Sequence, residues 1–250
     1  MKKNKISIKS NMKHKIVALI PARSKSERLK NKNILKVGKY PLLAIPILAA
    51  VKSKIFDKII VSTDSKKYAR IAKKYGAEVP FLRPKKISSS ISPDYEWVNY
   101  TIKNLSKKNI NFDIFFILRP TNPFRSYKTI LSAWKKFKKY KKAESLRAIE
   151  VSKQHPGKMW IRRSNYITPF FSKSKKGQPY YNQQLKSLPK IYKQNASLEI
   201  SKVKVLSQYK TITGKKIIPF FTKNYEGFDI NEAYDIKYAN SLLKDKKVKI

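Results

Sequence analysis

Cysteine is absent from this chain, and histidine and glycine are scarce: two His and six Gly in 250 residues. Without cysteine there are no disulfides and no thiolate metal sites, which fits a cytoplasmic location. With only His14 and His155 available, a histidine general base is not expected, and His155 is read as ordering its own segment. No apolar run approaches the roughly 18 residues that would span a membrane. The start of the chain lacks the charged, apolar and small-residue succession of a secretory signal, so residues 1–15 read as a short basic tail. Acidic residues are few as well: 15 Asp+Glu stand against 58 Lys+Arg, a formal net charge of +43. Such a field draws anions, RNA included, at low salt. The lysines are nevertheless spread along the whole chain, and neither Cys/His fingers nor an aromatic RNA-binding pattern is present. The charge is therefore read as compositional drift, with nucleic acid bound only non-specifically.

What remains is enough for a core: hydrophobic residues make up 41% of the chain. The length fits one large domain, here 16–250, with an insertion. Ile16 to Ile20 reads as a buried parallel strand, and Tyr40 to Ala50 as a helix with Pro41 near its first turn. Lys58 to Asp64 reads as a strand, followed by a helix from Lys66 to Tyr75 that ends at Gly76. Ser92 and Pro93 suit the cap and first position of a helix from Asp94 to about Leu105. Phe112 to Leu118 is a further core strand, and Tyr127 to Tyr140 a basic helix. Ile217 to Phe221 and a helix from about Glu232 to Leu243 close the chain. This alternation predicts an α/β fold with a mainly parallel sheet flanked by helices. The aromatic-rich stretch at about 145–200, with Trp160, Phe170, Tyr180 and Tyr192, breaks the rhythm and reads as a β-rich arm.

Five cations, Arg23, Lys25, Arg28, Lys30 and Lys32, crowd the loop after the first strand. In an open α/β sheet, ligands bind at the carboxyl ends of the strands, so the loop predicts a polyanionic ligand such as a nucleoside triphosphate. Arg23 offers a planar fork for two phosphate oxygens, and Lys32 a point charge. Ser26 and Asn33 can hydrogen-bond phosphate or ribose, or simply form the turn. Asp229 and Asn231 alternate around Ile230, which lets two oxygen ligands on one side of an extended segment reach one Mg²⁺; capping the next helix is the plainer reading, and weighs more for Asn231 than for Asp229.

Seven landmarks run in order: Ala22-Arg23 with Lys32-Asn33, Val61 to Asp64, Leu82 to Pro84, Pro120 to Arg125, His155 to Trp160, Leu188-Pro189 before Asn195, and Asp229 to Asn231. In this the chain resembles the acylneuraminate (sialic acid) cytidylyltransferase family over nearly its whole length from Ile16. The resemblance implies a Rossmann-like nucleotidyltransferase sheet and a homodimer in which the arm reaches over the neighbouring subunit. It implies transfer of CMP from CTP to a 2-keto sugar acid with release of pyrophosphate and use of Mg²⁺. It also implies roles. Arg23, Lys32 and Asp229 would be catalytic. Ala22, Ser26, Asn33, Arg83 and Asp94 would join Arg23 and Lys32 in holding the nucleotide. Arg119, Thr121, Gln184, Lys193 and Asn195 would meet the sugar, and Asp229 with Asn231 the metal.

The departures from the family pattern cluster on the sugar side. Arg119 stands where sialate members carry Gln, Lys193 where they carry Arg, and Gln183 and Gln184 where another Arg is usual. Ser90 replaces an Asp, and Asn231 replaces a second metal carboxylate. Asp94 is also a natural first-turn acid for its helix. The triphosphate loop is thus retained and the sugar pocket altered, so N-acetylneuraminate is expected to be a poor substrate. Ser26 to Leu29 echoes the Kdo cytidylyltransferases, so activation of a different sugar acid is one alternative. A non-catalytic basic nucleotide- or RNA-binding protein is the other.

Overall fold

The computed structural model describes residues 14–171, 174–175 and 177–250. The expected basic tail, apart from His14 and Lys15, lies outside the described residues. Six strands form the central sheet: β1 (Ile16–Pro21), β2 (Lys58–Ser62), β3 (Ile114–Ile117), β4 (Ser145–Val151), β5 (Tyr192–Lys202) and β6 (Ile217–Phe221). Their spatial order is β6-β4-β5-β3-β1-β2. Pairings β1–β2, β1–β3 and β4–β6 are parallel, and β5 alone runs against its neighbours β3 and β4.

Both faces of β1 are buried, and its residues alternate between two cores as the period of a strand requires. Ile16, Ala18 and Ile20 pack in one cluster with Phe116. That cluster also takes residues of helices α1 (Ala44–Ser53), α2 (Lys66–Lys74) and α4 (Tyr127–Lys139). Val17 and Leu19 pack on the opposite face with Phe115, Ile117 and the Trp97, Val98 and Leu105 side chains of α3 (Asp94–Ser106). A short helix, α5 (Lys204–Tyr209), and the C-terminal α6 (Ala233–Lys244) complete the set. A third cluster joins Ala239 and Leu242 of α6 to Ile230, Phe124 and Leu42. It fixes the segment just before α6 against the loops at the carboxyl ends of β1 and β3.

Three expectations need correction. The arm is shorter than 145–200, because 145–151 and most of 192–202 are strands of the main sheet; the excursion spans 152–191. Pro41 is not in a helix. Tyr40–Pro41 pairs with Lys36–Val37 in a small hairpin whose turn uses Gly38 at φ 59°, and α1 starts at Ala44 with Pro46 in its first turn. A proline is tolerated there because first-turn N–H groups have no helical acceptor. Pro93, not Ser92, stands at the cap position of α3. Within the arm, Trp160–Arg163 and Tyr166–Pro169 form an exposed antiparallel hairpin.

Candidate active site

The loop after β1 is held from beneath. Asp64, just past the end of β2, accepts from Ser24 N at 2.7 Å and from Ser24 Oγ at 2.7 Å. Asn33 Nδ2 donates to the Arg23 carbonyl at 3.0 Å, so its side chain shapes the loop. Ala22 is fully buried and its N–H goes to the Ser62 carbonyl at 2.9 Å; it supports the loop and does not line the cavity above. The Arg23 guanidinium has no hydrogen-bond partner or ion pair among the described residues, and it lines that cavity with Ser26, Arg28 and Lys32. Lys32 Nζ donates to the Ile230 carbonyl at 3.0 Å. Burial lowers the Lys32 pKa from its ordinary value, against the pull of the Asp229 carboxylate.

This first cavity has a volume of about 570 Å³. Its far wall is the serine-rich loop and the start of α3, where Asp94, Trp97 and Arg83 lie. Arg83 is buried. Its Nε and Nη2 donate to Ser62 Oγ at 3.0 Å and Ser62 O at 2.8 Å, and its guanidinium lies 5.0 Å from the centre of the Trp97 ring. Burial lowers the Arg83 pKa to about 10. A second cavity of about 730 Å³ opens on the other side and is lined by Lys193, Asn195, Glu150, Gly227, Asp229 and Asn231, among others. Thr121, expected at the sugar, lines the first cavity and not the second. Asp94 and Arg119 are the two residues that line both.

The boundary is a chain of alternating charge. Arg119 Nη2 meets Asp94 Oδ2 at 2.5 Å and Glu199 Oε1 at 2.8 Å, while Glu199 Oε2 is taken by Arg147. Strand register explains the assembly. Glu199 of β5 lies opposite Arg147 of β4 and opposite Ile117 of β3, two residues before Arg119. Burial pushes the Arg119 pKa down, but Glu199 and Asp94 outweigh it and hold the group above its ordinary range. Burial pushes the Asp94 carboxyl up, and Arg119, aided by Trp97 Nε1–H, holds it below the usual range. Arg119 is therefore charge-paired on both sides at the boundary between the cavities.

In the second cavity, a wide irregularity in β5 between Gln194 and Glu199 turns Asn195 inward. Its Nδ2 donates to Thr222 Oγ1 at 2.8 Å and Glu150 Oε2 at 3.2 Å, and Lys193 Nζ pairs with Glu150 Oε1 at 2.8 Å. Gly227 lies so close against this group that a Cβ there would overlap Glu150 Oε2 and Asn195 Nδ2. Gln184 sits exposed in the arm and lines neither cavity; the single chain does not bring it to the site. His155 Nδ1 accepts from Gly157 N at 3.0 Å and its ring stacks edge-on to Tyr180, the ordering role expected for it.

Asp229 and Asn231 lie in an irregular segment, not a strand, but their side chains do meet. Asn231 Nδ2 donates to Asp229 Oδ2 at 2.9 Å, and Arg28 Nη2 donates to Asn231 Oδ1 at 2.8 Å. Asp229 Oδ1 is buried without a hydrogen-bond partner. Two residues outside the set expected from sequence support the site from within. Asn122 Nδ2 donates to the carbonyls of Glu226 at 2.8 Å and Phe228 at 2.7 Å, just ahead of Asp229. Arg125, fully buried with its pKa lowered by burial to about 9, donates to the carbonyls of Ser197 and Arg119.

A family model described as cytidylyltransferase matches residues 17–228. The chain belongs to the cytidylyltransferase family. Its members are nucleotidyltransferases, and this places the cation-lined cavity in a family that handles nucleotides. The chain is 29% identical to an N-acylneuraminate cytidylyltransferase of Escherichia coli O18:K1:H7 over 94% of its own length, and spans 54% of that protein. It is 32% identical to a CMP-N,N'-diacetyllegionaminic acid synthase of Legionella pneumophila, covering 92% of this chain and 97% of the relative. A pseudaminic acid cytidylyltransferase of Campylobacter jejuni is 26% identical with the same two coverages, 92% and 97%. Among solved structures, a CMP:2-keto-3-deoxy-manno-octonic acid synthetase complexed with CTP superposes with a TM-score of 0.67 at 13% identity, covering 93% of this chain and 99% of the other. That likeness carries the Rossmann-like fold. None of the described helices is long and apolar enough to cross a membrane.

Proposed function

We propose that this chain transfers CMP from CTP to a nonulosonate, a nine-carbon 2-keto sugar acid of the sialic, legionaminic or pseudaminic class. The observation that carries the reading is the Arg23 guanidinium, unpaired among the described residues, lining with Lys32 a cation-rich cavity that adjoins a second, polar one where Asp229 stands. The triphosphate occupies the first cavity and the sugar acid the second. A sugar hydroxyl oxygen attacks the α-phosphorus and gives up its proton to water, the bond from that phosphorus to the bridging oxygen breaks, and pyrophosphate leaves. Negative charge builds on the phosphate oxygens, and preorganised cations lower that barrier most when water is excluded. Arg23 clamps two phosphate oxygens. Lys32, fixed by the Ile230 carbonyl, stands over the phosphate nearest Asp229.

Asp229 fits Mg²⁺, because its Oδ1 is buried and unpartnered; Asn231 turns its amide nitrogen to Asp229 Oδ2 and its oxygen to Arg28, and would join the ion by exchanging Arg28 for it. Mg²⁺ accepts few protein oxygens and keeps several waters, in keeping with the lack of any cluster of three His, Cys, Asp or Glu among the described residues. When bound, the ion would neutralise charge on the phosphates. A coupled pyrophosphate assay is expected to give turnover with CTP well above that with UTP, ATP or GTP. Equal rates with all four nucleotides would reject the assignment.

Gly227→Ala is expected to force Glu150 and Asn195 apart, since the new methyl overlaps both side chains. The sugar-acid KM should rise by about tenfold, the loss of roughly one charge-assisted hydrogen bond. The CTP KM should stay within about twofold of the parent on the same scale. A KM change confined to CTP would place the sugar elsewhere.

The arm supports a homodimer. Trp160, Tyr166, Ile167 and Phe170 are exposed on or beside its hairpin, more apolar surface than a solvated loop carries. A second copy packing there would also bring Gln184 toward a neighbouring site. Light scattering is expected to give twice the 29.2 kDa chain mass; a monomer at every micromolar concentration would reject the dimer.

A further inference from the structure

Glu199 has no place in phosphate or metal chemistry, yet it is the most enclosed carboxylate at the site. Its side chain is 6% exposed, against 32% for Asp94, and both grip the same nitrogen of Arg119. The two partners differ in what would follow from letting go. Freeing Glu199 from Arg119 would strip a buried carboxylate of one of its two paired charges, which is costly where water cannot replace it. Freeing Asp94 would release a half-open carboxylate that faces both cavities, retains the Trp97 Nε1–H bond at 2.8 Å and stands in the first turn of α3, where the helix dipole favours it. Glu199 is in turn fixed from behind by Arg147, directly opposite in the sheet. Glu199 is thus the more enclosed and more firmly held of the two partners of Arg119.

We propose that Glu199 is a positioning residue that anchors Arg119, and that Asp94 masks Arg119 until the substrate's own carboxylate replaces it. This deepens the proposed function and rests on it for the identity of the acid. Arg119 keeps two carboxylates through the exchange, since one leaves as another arrives, and the freed Asp94 charge is left to the open cavity, the Trp97 N–H and the start of α3. A neutral sugar cannot make the exchange, because nothing would replace the charge of Asp94. The device therefore selects acids at the boundary between the two cavities, where sugar and α-phosphate must meet.

Trp97 reports the exchange through Asp94: its Nε1–H bond to that carboxylate persists while the Arg119 charge beside it is withdrawn. The test is a tryptophan-fluorescence titration without CTP, in a chain carrying Trp134→Phe and Trp160→Phe. The probes are N-acetylneuraminate, N,N'-diacetyllegionaminate and pseudaminate, with a neutral hexose as control. At least one acid should change the Trp97 signal, and the hexose should not. Arg119→Gln should abolish the change. Glu199→Gln should weaken the apparent affinity about tenfold or more, the scale of one charge-assisted hydrogen bond to the acid. Asp94→Asn should strengthen it, because Arg119 is then already unmasked. In the Arg119→Gln background, Glu199→Gln should have no further effect. Should Glu199→Gln fail to fold, Glu199→Asp decides the same point by drawing the carboxylate back one methylene, with weakening again expected. No signal with any acid, an unchanged midpoint in the Glu199 variants, or weakening by Asp94→Asn would each overturn the proposal. Pyrophosphate release from CTP is scored separately, so absence of turnover sinks the functional reading without deciding this one.

Discussion

Arg23→Ala is expected to lower kcat by about 10² or more, the usual cost of removing one preorganised group that meets developing charge. The effect should be that large because Arg23 has no other employment: no described side chain binds its guanidinium, while Asp64 and Asn33 hold the surrounding backbone independently of it. For the same reason the fold should survive, with a thermal midpoint close to the parent, since a loop cation carries no core packing. Arg23→Lys keeps the charge but loses the two-pronged geometry, and should recover only part of the rate. A folded Arg23→Ala enzyme with near-normal kcat would mean that the phosphates lie elsewhere.

Asp229→Ala should be at least as damaging, by about 10²–10³ in kcat, since it removes the one carboxylate among the two proposed Mg²⁺ ligands. The readout need not be turnover alone. Calorimetric titration of Mg²⁺ into the enzyme with CTP should lose its heat in this variant. Asn231→Asp supplies a second carboxylate beside Asp229 and opposite Arg28; it should tighten Mg²⁺ binding. Unchanged Mg²⁺ affinity in Asp229→Ala would remove Asp229 from the metal site and leave it as a loop residue.

The parts of this site that are legible in the sequence are local in the chain. The loop from Arg23 to Lys32 follows an apolar strand and precedes a helix, and strand-end geometry alone assigns it to a ligand. Asp229 and Asn231 are legible as a pair because residues two apart on extended backbone share a side, although the backbone there is not a strand. What the sequence hides depends on partners far along the chain. Glu199 and Arg147 belong to no motif, and only antiparallel register brings them together and onto Arg119. The same antiparallel strand, with its irregularity at 195–198, breaks the two-residue alternation that marks a strand, so β4 and β5 read as part of the arm. Asn122 is invisible for a different reason: its function is to bind two carbonyls of a segment 104 and 106 residues away. Gln184 is placed by resemblance alone, and the single chain leaves it outside.

The scarcity of acids has a structural counterpart. Against 58 basic residues, the chain has 15 acids, and many are committed to specific partners: Asp64 to Ser24, Glu144 to the backbone before β6, Glu226 to Thr129, Asp235 to the start of α6. Lysine covers the solvated surface, while these carboxylates hold backbone N–H groups and hydroxyls.

Product identity decides whether this chain transfers CMP to a nonulosonate. The enzyme is incubated with CTP, Mg²⁺ and each sugar acid in turn, and the mixture is read by mass spectrometry alongside pyrophosphate release. The expected result is a CMP-linked sugar from at least one nonulosonate, formed in equal amount with pyrophosphate and abolished by EDTA. Binding of CTP with no CMP conjugate from any nonulosonate, or pyrophosphate released without a sugar acid present, would contradict it.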